Sequence, residues 1–526
     1  MTSGSFRRDI NRYLASNMVY EQKLRGLHFI MPQAISRHRG LILVGSLFVI
    51  SVAPVLLVRI PAMIDYVNHL ARMHLLVDAA AGRLNPAYVM DWRFSPNLAV
   101  DIIVSWLAQL VGVETAARIF LLASQTLVVT GAIALEIAVR GRHQLSGFAA
   151  LTALYSLPFL WGLLNFEFGC GVALWAIAVW IRYRDGRWQA RIALHTVFVV
   201  LLFVTHLFAL GIYGLTIGCY EASRIAGYRQ AARTFAMMGF PVVALYLYLI
   251  WSGGAIGKSV FDWWFIFKLM WPLLVMNGYN VSLSIALALT IAALLVFLGY
   301  NRVFRLTRPA ILIGSGFLVA YLLMPTRLFD SAYSEVRLIP AIMTILPAFL
   351  TVSWPSRSVQ SVAALVAVSV ILINAASIAS VWLAYRSDYA EIIVSFRLLP
   401  PGSTILTARS DASGGGTDAP MFYAPTLAAH YATAFVPSLY TLAGQQPIRK
   451  ATSKSRFEIE DSLEYLPTTI SQLNSASAGG TAPAHVRGWR TDYDYLYIVG
   501  DQTGSIPDHL TSMMRSRRFA LYAIDK

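Results

Sequence analysis

Asp65, His69 and Arg72 follow closely on the first long apolar run of the 526-residue chain. They are spaced i, i+4 and i+7, so a helix would place all three on one face. A carboxylate can act as a base or bind a metal ion, a histidine can relay a proton, and an arginine can hold a phosphate through two parallel hydrogen bonds. The pattern predicts Asp65 and His69 as catalytic residues and Arg72 as a substrate-binding residue. The alternative is an interfacial helix whose polar face is merely solvated.

A second charged group lies between two later apolar runs, at Arg327, Asp330, Glu335 and Arg337. Two interpretations stay open for these four residues. They can form internal salt bridges, which contribute little at a surface. They can instead bind a substrate, to whose phosphate the two arginines would present a planar fork of N–H donors.

Three further candidates are Glu167, as a catalytic residue, and His206 and Lys258, as substrate-binding residues. Glu167 and His206 lie at predicted hairpin tips, which need no function, but converging helices would turn both towards Asp65. Lys258 lies in the aromatic-rich segment 252–280. Such a segment is typical of the aromatic belt at the headgroup level, or it forms a lid over a lipid-linked substrate whose phosphate Lys258 would meet.

The elements that must position these residues are membrane-spanning helices. The chain is 57% hydrophobic and only 13% charged, whereas soluble domains carry about a quarter charged residues. Its apolar runs have the length that crosses a hydrocarbon core of about 30 Å. The net charge of +15 is concentrated in the N-terminal tail and in short loops, while residues 386–526 carry 13 basic and 13 acidic residues. This distribution indicates membrane topology and excludes a nucleic-acid partner.

The clusters of Arg and Lys between the apolar runs mark the cytoplasmic side. If all of them lie inside, an even number of crossings separates each neighbouring pair. Eleven crossings result, which places the N-terminus in the cytoplasm and the C-terminal region outside. The predicted spans are 41–59, 117–139, 146–164, 167–181, 191–206, 207–223, 234–251, 281–300, 309–325, 337–354 and 359–384.

Two segments are assigned by this parity. Residues 97–113 are predicted as a helix along the interface, because Asp101, Ser105 and Gln109 repeat at i, i+4 and i+8 and form one polar stripe. Residues 191–223 would be about 50 Å long as one helix. We therefore predict a hairpin that turns at residues 205–206.

The predicted architecture is mainly α, a polytopic transmembrane helical bundle with a C-terminal α/β extracytoplasmic domain. A basic cytoplasmic tail occupies 1–40, the transmembrane module 41–384 includes an outer loop at 60–116, and a periplasmic domain occupies 385–526. Strands are predicted at 404–408, 493–499 and 518–524, and a helix at 507–515.

Two of these stretches resemble the GT-C superfamily of polytopic membrane glycosyltransferases. One is the outer loop that opens with Asp65 directly after the first span and continues into interfacial helices. The other is 322–340, an outer loop with the span that follows it. The likeness in architecture covers about the first 385 residues. It implies that Asp65 is catalytic and that the donor is a polyprenyl-phosphate sugar.

The resemblance implies inverting transfer of the sugar to an extracytoplasmic lipid, glycan or protein acceptor, in the inner membrane of a bacterium and in contact with its lipids. His69 and Glu167 would support Asp65, while Arg327, Arg337 and Lys258 would hold the donor. The first outer loop contains no Asp-X-Asp pair, so no cofactor is assigned and a divalent metal ion stays an open question. Two other functions stay open: a transporter or flippase for an envelope precursor, and a non-catalytic envelope assembly protein.

Overall fold

The structure is a computed structural model, which describes residues 40–251, 261–328, 331–411, 418–442, 445–459, 465–477, 483–500 and 506–526. The chain divides into two units, Met1–Ile50 and Ser51–Lys526. All described residues of the candidate site lie in the second unit.

Apolar helices make up most of the second unit. Among the described residues, seven helices are long and apolar enough to cross a membrane, as expected of a multi-pass membrane protein. The helices before the C-terminal region are α1 Gly40–Leu57, α2 Tyr66–Ala80, α3 Ala99–Val111, α4 Val113–Arg140, α5 Ser146–Ala153, α6 Leu157–Trp161, α7 Leu164–Arg182, α8 Trp188–Thr205, α9 Leu207–Ala222, α10 Tyr228–Trp251, α11 Phe265–Leu274, α12 Val281–Tyr300, α13 Arg308–Leu323, α14 Leu338–Ile345 and α15 Arg357–Ser395.

Side-chain caps fix where several of these helices begin. Asn280, Thr307 and Ser356 each accept a hydrogen bond from the backbone N–H three residues ahead, at the starts of α12, α13 and α15. A cap satisfies one of the backbone donors that the first helical turn leaves unpaired. Such pairing matters most where lipid offers no water as an alternative partner.

The predicted break between α8 and α9 is confirmed. His206 separates the two helices in an extended conformation, with φ −169° and ψ 129°, and its side chain accepts a hydrogen bond from the backbone N–H of Phe208. The span predicted over 337–354 is less regular than expected. Its α-helix ends at Ile345 and continues as a 3-10 turn, Leu346–Phe349.

Residues 97–113 contain the predicted helix, α3, but its polar stripe is only partly exposed, since Gln109 is exposed and Asp101 is not. Asp101, the first residue of that stripe, is completely buried. The exposed side carries Ile102, Trp106 and Leu110 instead, at i, i+4 and i+8. An apolar outer stripe suits contact with lipid at the membrane interface.

The described part of the C-terminal region is α/β and contains three short α-helices, α16 Ala428–Tyr431, α17 Ile470–Ser477 and α18 Trp489–Asp492. The strands of the chain are β1 Tyr88–Met90, β2 Phe304–Arg305, β3 Arg327–Leu328, β4 Ser331–Ala332, β5 Thr351–Val352, β6 Ile405–Arg409, β7 Ile448–Lys450, β8 Thr468–Thr469, β9 Tyr495–Val499, β10 Leu510–Arg515 and β11 Phe519–Ile524. Five of them form one mixed sheet in the order β10-β11-β9-β6-β8. Its strands β6, β9 and β11 confirm the three strands predicted from the sequence.

The helix predicted over 507–515 is wrong. Its second half forms strand β10, which pairs antiparallel with β11 after a turn in which Ser516 N–H donates to the Phe519 carbonyl at 2.8 Å. The two methionines of this segment favour a helix locally, but pairing at the edge of the sheet outweighs such weak preferences.

The loop between α1 and α4 packs into the C-terminal region rather than standing apart from it. Strand β1 of that loop pairs antiparallel with β7. Ala71 and Leu75 of α2 belong to the same hydrophobic core as Leu496 and Tyr522 of the sheet. The start of α2, which carries Asp65, is therefore held between the helical bundle and the C-terminal region.

Candidate active site

The backbone of Asp65 is fixed by the end of α6. Asp65 lies at the N-cap position of α2, and its N–H donates to the carbonyl of Trp161 at 2.8 Å. The next residue in that turn, Gly162, has φ +90°. A Cβ at Gly162 would lie 2.9 Å from the backbone nitrogen of Asp65. Only glycine suits this turn, because the backbone of Gly162 is left-handed and lies in direct contact with the backbone of Asp65.

The side chain of Asp65 meets the C-terminal region. The hydroxyl of Tyr440 donates to Asp65 Oδ1 at 2.8 Å. One turn further along α2, Asn68 accepts from the backbone N–H of Tyr440 at 2.8 Å and donates to the carbonyl of Ser438 at 2.9 Å. Asn68 therefore fixes the segment that carries Tyr440. It binds only backbone groups of that segment, the Tyr440 N–H and the Ser438 carbonyl, so these two contacts do not depend on the side chains there.

Burial raises the pKa of Asp65 to about 7, while the Tyr440 hydrogen bond and the positive charges of Arg337 and Arg72 oppose that rise. Desolvation penalises the charged form of a carboxyl group, and donors and cations stabilise it. The carboxyl group is thus balanced between its two forms near neutral pH. That is the condition under which a general base works best.

Arg72 and His69 form a buried network with α3. The Arg72 guanidinium is completely buried and binds both carboxylate oxygens of Asp101, at 2.7 and 3.1 Å. Its Nη2 also lies 3.0 Å from His69 Nδ1. Burial, together with the charge of Arg72, holds the pKa of His69 well below its usual value. A neutral His69 facing a guanidinium accepts at Nδ1 and carries its proton on Nε2.

In the second predicted group, Arg337 is the residue whose positive charge stabilises the Asp65 carboxylate. Arg337 is buried at the end of the 3-10 turn Ser334–Arg337, and its Cζ lies 4.7 Å from the ring centroid of Phe208. Its Nη1 donates to the Ala332 carbonyl at 3.1 Å.

The pairing of β3 with β4 places the backbone of Arg327 next to Ala332, which Arg337 also contacts. Arg327 is half-buried in β3 and pairs with Ala332 of β4, the residue whose carbonyl also accepts from Arg337. Both predicted arginines are therefore fixed to one short hairpin. A guanidinium held this way is pre-positioned for an anionic group.

Glu167 and His206 lie on elements that pack closely together. Glu167 is buried in the first turn of α7. Two residues later, a Cβ at Gly169 would lie 2.7 Å from the Cβ of Ala209 and 3.5 Å from that of His206. This close approach brings the start of α7 against the α8–α9 turn, and the charge of Arg337 acts on His206.

Glu335 lies close enough to Arg337 for its negative charge to act on that guanidinium, and it also contacts an aromatic side chain. It is completely buried, and its Oε1 accepts from the indole of Trp271 at 3.2 Å. Lys258 and Asp330, the remaining candidates, lie outside the described residues. The part of the chain that the structure describes contains no group of three or more His, Cys, Asp or Glu side chains placed to hold a metal ion.

Sequence reasoning missed Tyr440 and Asn68. Tyr440 lies 375 residues from Asp65 along the chain, in a segment without a polar pattern. Asn68 stands inside the stretch that contains Asp65, His69 and Arg72, and its spacing of i+3 from Asp65 was the available signal.

No protein-family model matches the chain, and no curated protein matches it. Among solved structures, the chain is similar to a crystal structure of ArnT from Cupriavidus metallidurans bound to undecaprenyl phosphate. The sequence identity is 12%, the TM-score is 0.44, and the match covers 93% of this chain and 98% of that one. At such a TM-score, the function has to be argued from this chain's own residues.

Proposed function

We propose that the chain is a membrane glycosyltransferase that moves a sugar from a polyprenyl-phosphate donor to a hydroxyl group of an extracytoplasmic acceptor. The observation that carries this proposal is the environment of Asp65. Burial raises the pKa of its carboxyl group to about 7. The carboxylate accepts a hydrogen bond from Tyr440 at 2.8 Å and is stabilised by the positive charge of the buried Arg337. A base and a phosphate-binding cation close together are what such a transfer requires.

In the proposed reaction, the acceptor hydroxyl attacks the anomeric carbon of the donor sugar. Asp65 takes the hydroxyl proton as the new carbon–oxygen bond forms. The bond between the anomeric carbon and the phosphate oxygen breaks, and its electron pair leaves with the polyprenyl phosphate. Attack opposite to the leaving group inverts the configuration of the sugar.

The other residues take supporting roles in this proposal. Arg337 and Arg327 hold the donor phosphate and stabilise the negative charge that it gains on departure. His69 and Glu167 shape the acceptor side of the site, and Tyr440 orients the Asp65 carboxylate. The site opens on the extracytoplasmic side, and the C-terminal region covers it there.

The direct test is Asp65→Asn in the purified full-length protein, incubated with radiolabelled polyprenyl-phosphate sugars and membrane acceptors. We expect transfer to fall at least a hundredfold while the thermal midpoint is maintained. Asp78→Asn is the matched control, because Asp78 lies on the same helix and pairs with His74 and Arg83 away from Asp65. Full activity of the Asp65→Asn protein would remove the catalytic assignment.

A further inference from the structure

Lys450 is a buried cation that the proposed reaction does not use. It lies in β7, opposite Tyr88 of the outer loop, and only 6% of its surface is exposed. Its Nζ has no hydrogen-bond partner among the described residues. The acid whose charge acts on it, Glu458, is exposed at the surface. An ammonium group is rarely buried without a partner, because desolvation is costly.

The neighbours of Lys450 are also buried polar groups with unused hydrogen-bonding capacity. The ring of Tyr465 lies 5.5 Å from Lys450 Nζ, and Thr441 lies beside the Tyr465 hydroxyl. The two hydroxyl groups act on each other, while Nδ1 of the nearby His485 has no hydrogen-bond partner among the residues that the structure describes. Native proteins leave few such groups unsatisfied, so a set of them in one place needs an explanation. We call these four side chains the Lys450 cluster.

The charges within the Lys450 cluster favour an anion. Burial lowers the pKa of Lys450 to about 8, so the ammonium form still predominates at neutral pH. Burial likewise lowers the pKa of His485 to about 4, so this imidazole is neutral. One buried cation without a partner in the described part of the chain, beside a pair of hydroxyl groups and with no carboxylate among the four side chains, matches the oxygens of a phosphate group.

The Lys450 cluster is connected to Asp65 through two aromatic rings. The ring of Tyr465 packs against that of Tyr440 at a centroid distance of 5.2 Å. The Tyr440 hydroxyl in turn donates to Asp65 at 2.8 Å. A group bound at Lys450 therefore lies on the C-terminal side of the proposed active site.

We propose that the Lys450 cluster binds a phosphate group of the acceptor and thereby places the acceptor hydroxyl at Asp65. The role of this subsite in transfer rests on the proposed glycosyltransferase function, whereas phosphate binding does not. The phosphate can belong to a lipid headgroup or to a soluble phosphorylated compound, and both sources offer the same oxyanion.

The test measures thermal unfolding of the full-length protein in phosphatidylcholine nanodiscs, with inorganic phosphate added at constant ionic strength. A second arm replaces part of the lipid with phosphatidic acid. The variants are Lys450→Met and Lys454→Met. Lys454 is a matched control because it lies over the ring of Phe435, at 4.9 Å, in the same region. A ligand that binds only the folded state raises the midpoint in proportion to its occupancy.

We expect phosphate to raise the midpoint of the parent and of Lys454→Met, and to leave that of Lys450→Met unchanged. Without phosphate, Lys450→Met should unfold at a higher temperature than the parent, because it removes an unpaired buried cation. A response to phosphatidic acid alone would assign the site to a lipid headgroup, and a response to inorganic phosphate would assign it to a soluble group.

An equal phosphate response in Lys450→Met and Lys454→Met would overturn the proposal, as would the absence of any response in both arms. If Lys450→Met does not fold, the double variant Thr441→Val with Tyr465→Phe should weaken the response at least threefold. An unweakened response in that protein would count against the cluster. These experiments measure thermal unfolding and not sugar transfer. Their results would therefore still test phosphate binding if the protein proved not to be a glycosyltransferase.

Discussion

Replacing Tyr440 with Phe should raise the pKa of Asp65 and leave its position unchanged. The substitution removes the hydroxyl that donates to Asp65 Oδ1 at 2.8 Å but keeps the ring, which packs between those of Tyr423 and Tyr465 at 5.2 Å each. A hydrogen bond to a charged group contributes about 1.5–3 kcal/mol. Since one pKa unit corresponds to about 1.4 kcal/mol, the pKa should move upward from about 7 by about one to two units.

The consequence for a general base follows from the sign of this shift. The carboxylate is the active form, so activity rises as pH increases through the pKa of Asp65. At pH 7 about half of Asp65 is ionised in the parent, and in Tyr440→Phe the ionised share should fall to roughly a tenth or a hundredth. Transfer should therefore be lost at neutral pH and largely regained above pH 9.

The pKa of Asp65 can be measured without any substrate. A hydrophobic carbodiimide modifies protonated buried carboxyl groups, and peptide mass spectrometry gives the modified share of Asp65 at each pH. Tyr88→Phe is the control, because the Tyr88 hydroxyl bonds the backbone of Val436 in the same segment and does not touch Asp65. A labelling midpoint that stays within half a unit of the parent, or moves downward, would refute the role given to Tyr440.

Three further outcomes are expected. Gly162→Ala should lower stability by about 1–2 kcal/mol or more, because its φ is +90° and its Cβ would press on the Asp65 nitrogen; denaturant unfolding and Asp65 labelling measure this. Asp65→Asn should have a higher free energy of unfolding than the parent. The difference should grow between about pH 4 and about pH 7 and stay constant above about pH 7. The reason is that the raised pKa of Asp65 withdraws stability as pH rises to about 7; thermal midpoints across that range decide it. Residues 385–526 expressed alone should not fold, because Ala71 and Leu75 of the outer loop complete their core; near-ultraviolet circular dichroism would reveal a folded fragment and contradict this.

The sequence was sufficient for most of the long apolar helices because their signal is local. An apolar run of the right length identifies a span wherever it stands, and even the break at His206 followed from length alone. The proximity of Asp65 to Arg72 was predictable for the same reason, since both lie on or next to one helix. Strand β10 was not, because its conformation depends on pairing with β11 rather than on its own residues.

The partners of the candidate site were beyond local patterns. Asp101 was predicted as part of a polar stripe on an interfacial helix. In the structure it is buried and forms a salt bridge with Arg72. Tyr440 carries no signal of its own, since a tyrosine in an apolar segment is ordinarily a core residue. It contacts Asp65 only because Asn68 fixes its backbone. Such long-range contacts arise from the assembled fold and not from spacing.

The position of Asp65 suggests why the C-terminal region packs on the loop between α1 and α4. A carboxylate in a loop that follows a membrane-spanning helix is ordinarily solvated and has a pKa near 4. Here Asn68 and Tyr440 close the C-terminal region over Asp65. The burial that raises its pKa to about 7 therefore depends on a contact across two parts of the chain. Opening that contact would return Asp65 to water and lower its pKa, so the closed arrangement itself sets the strength of the base.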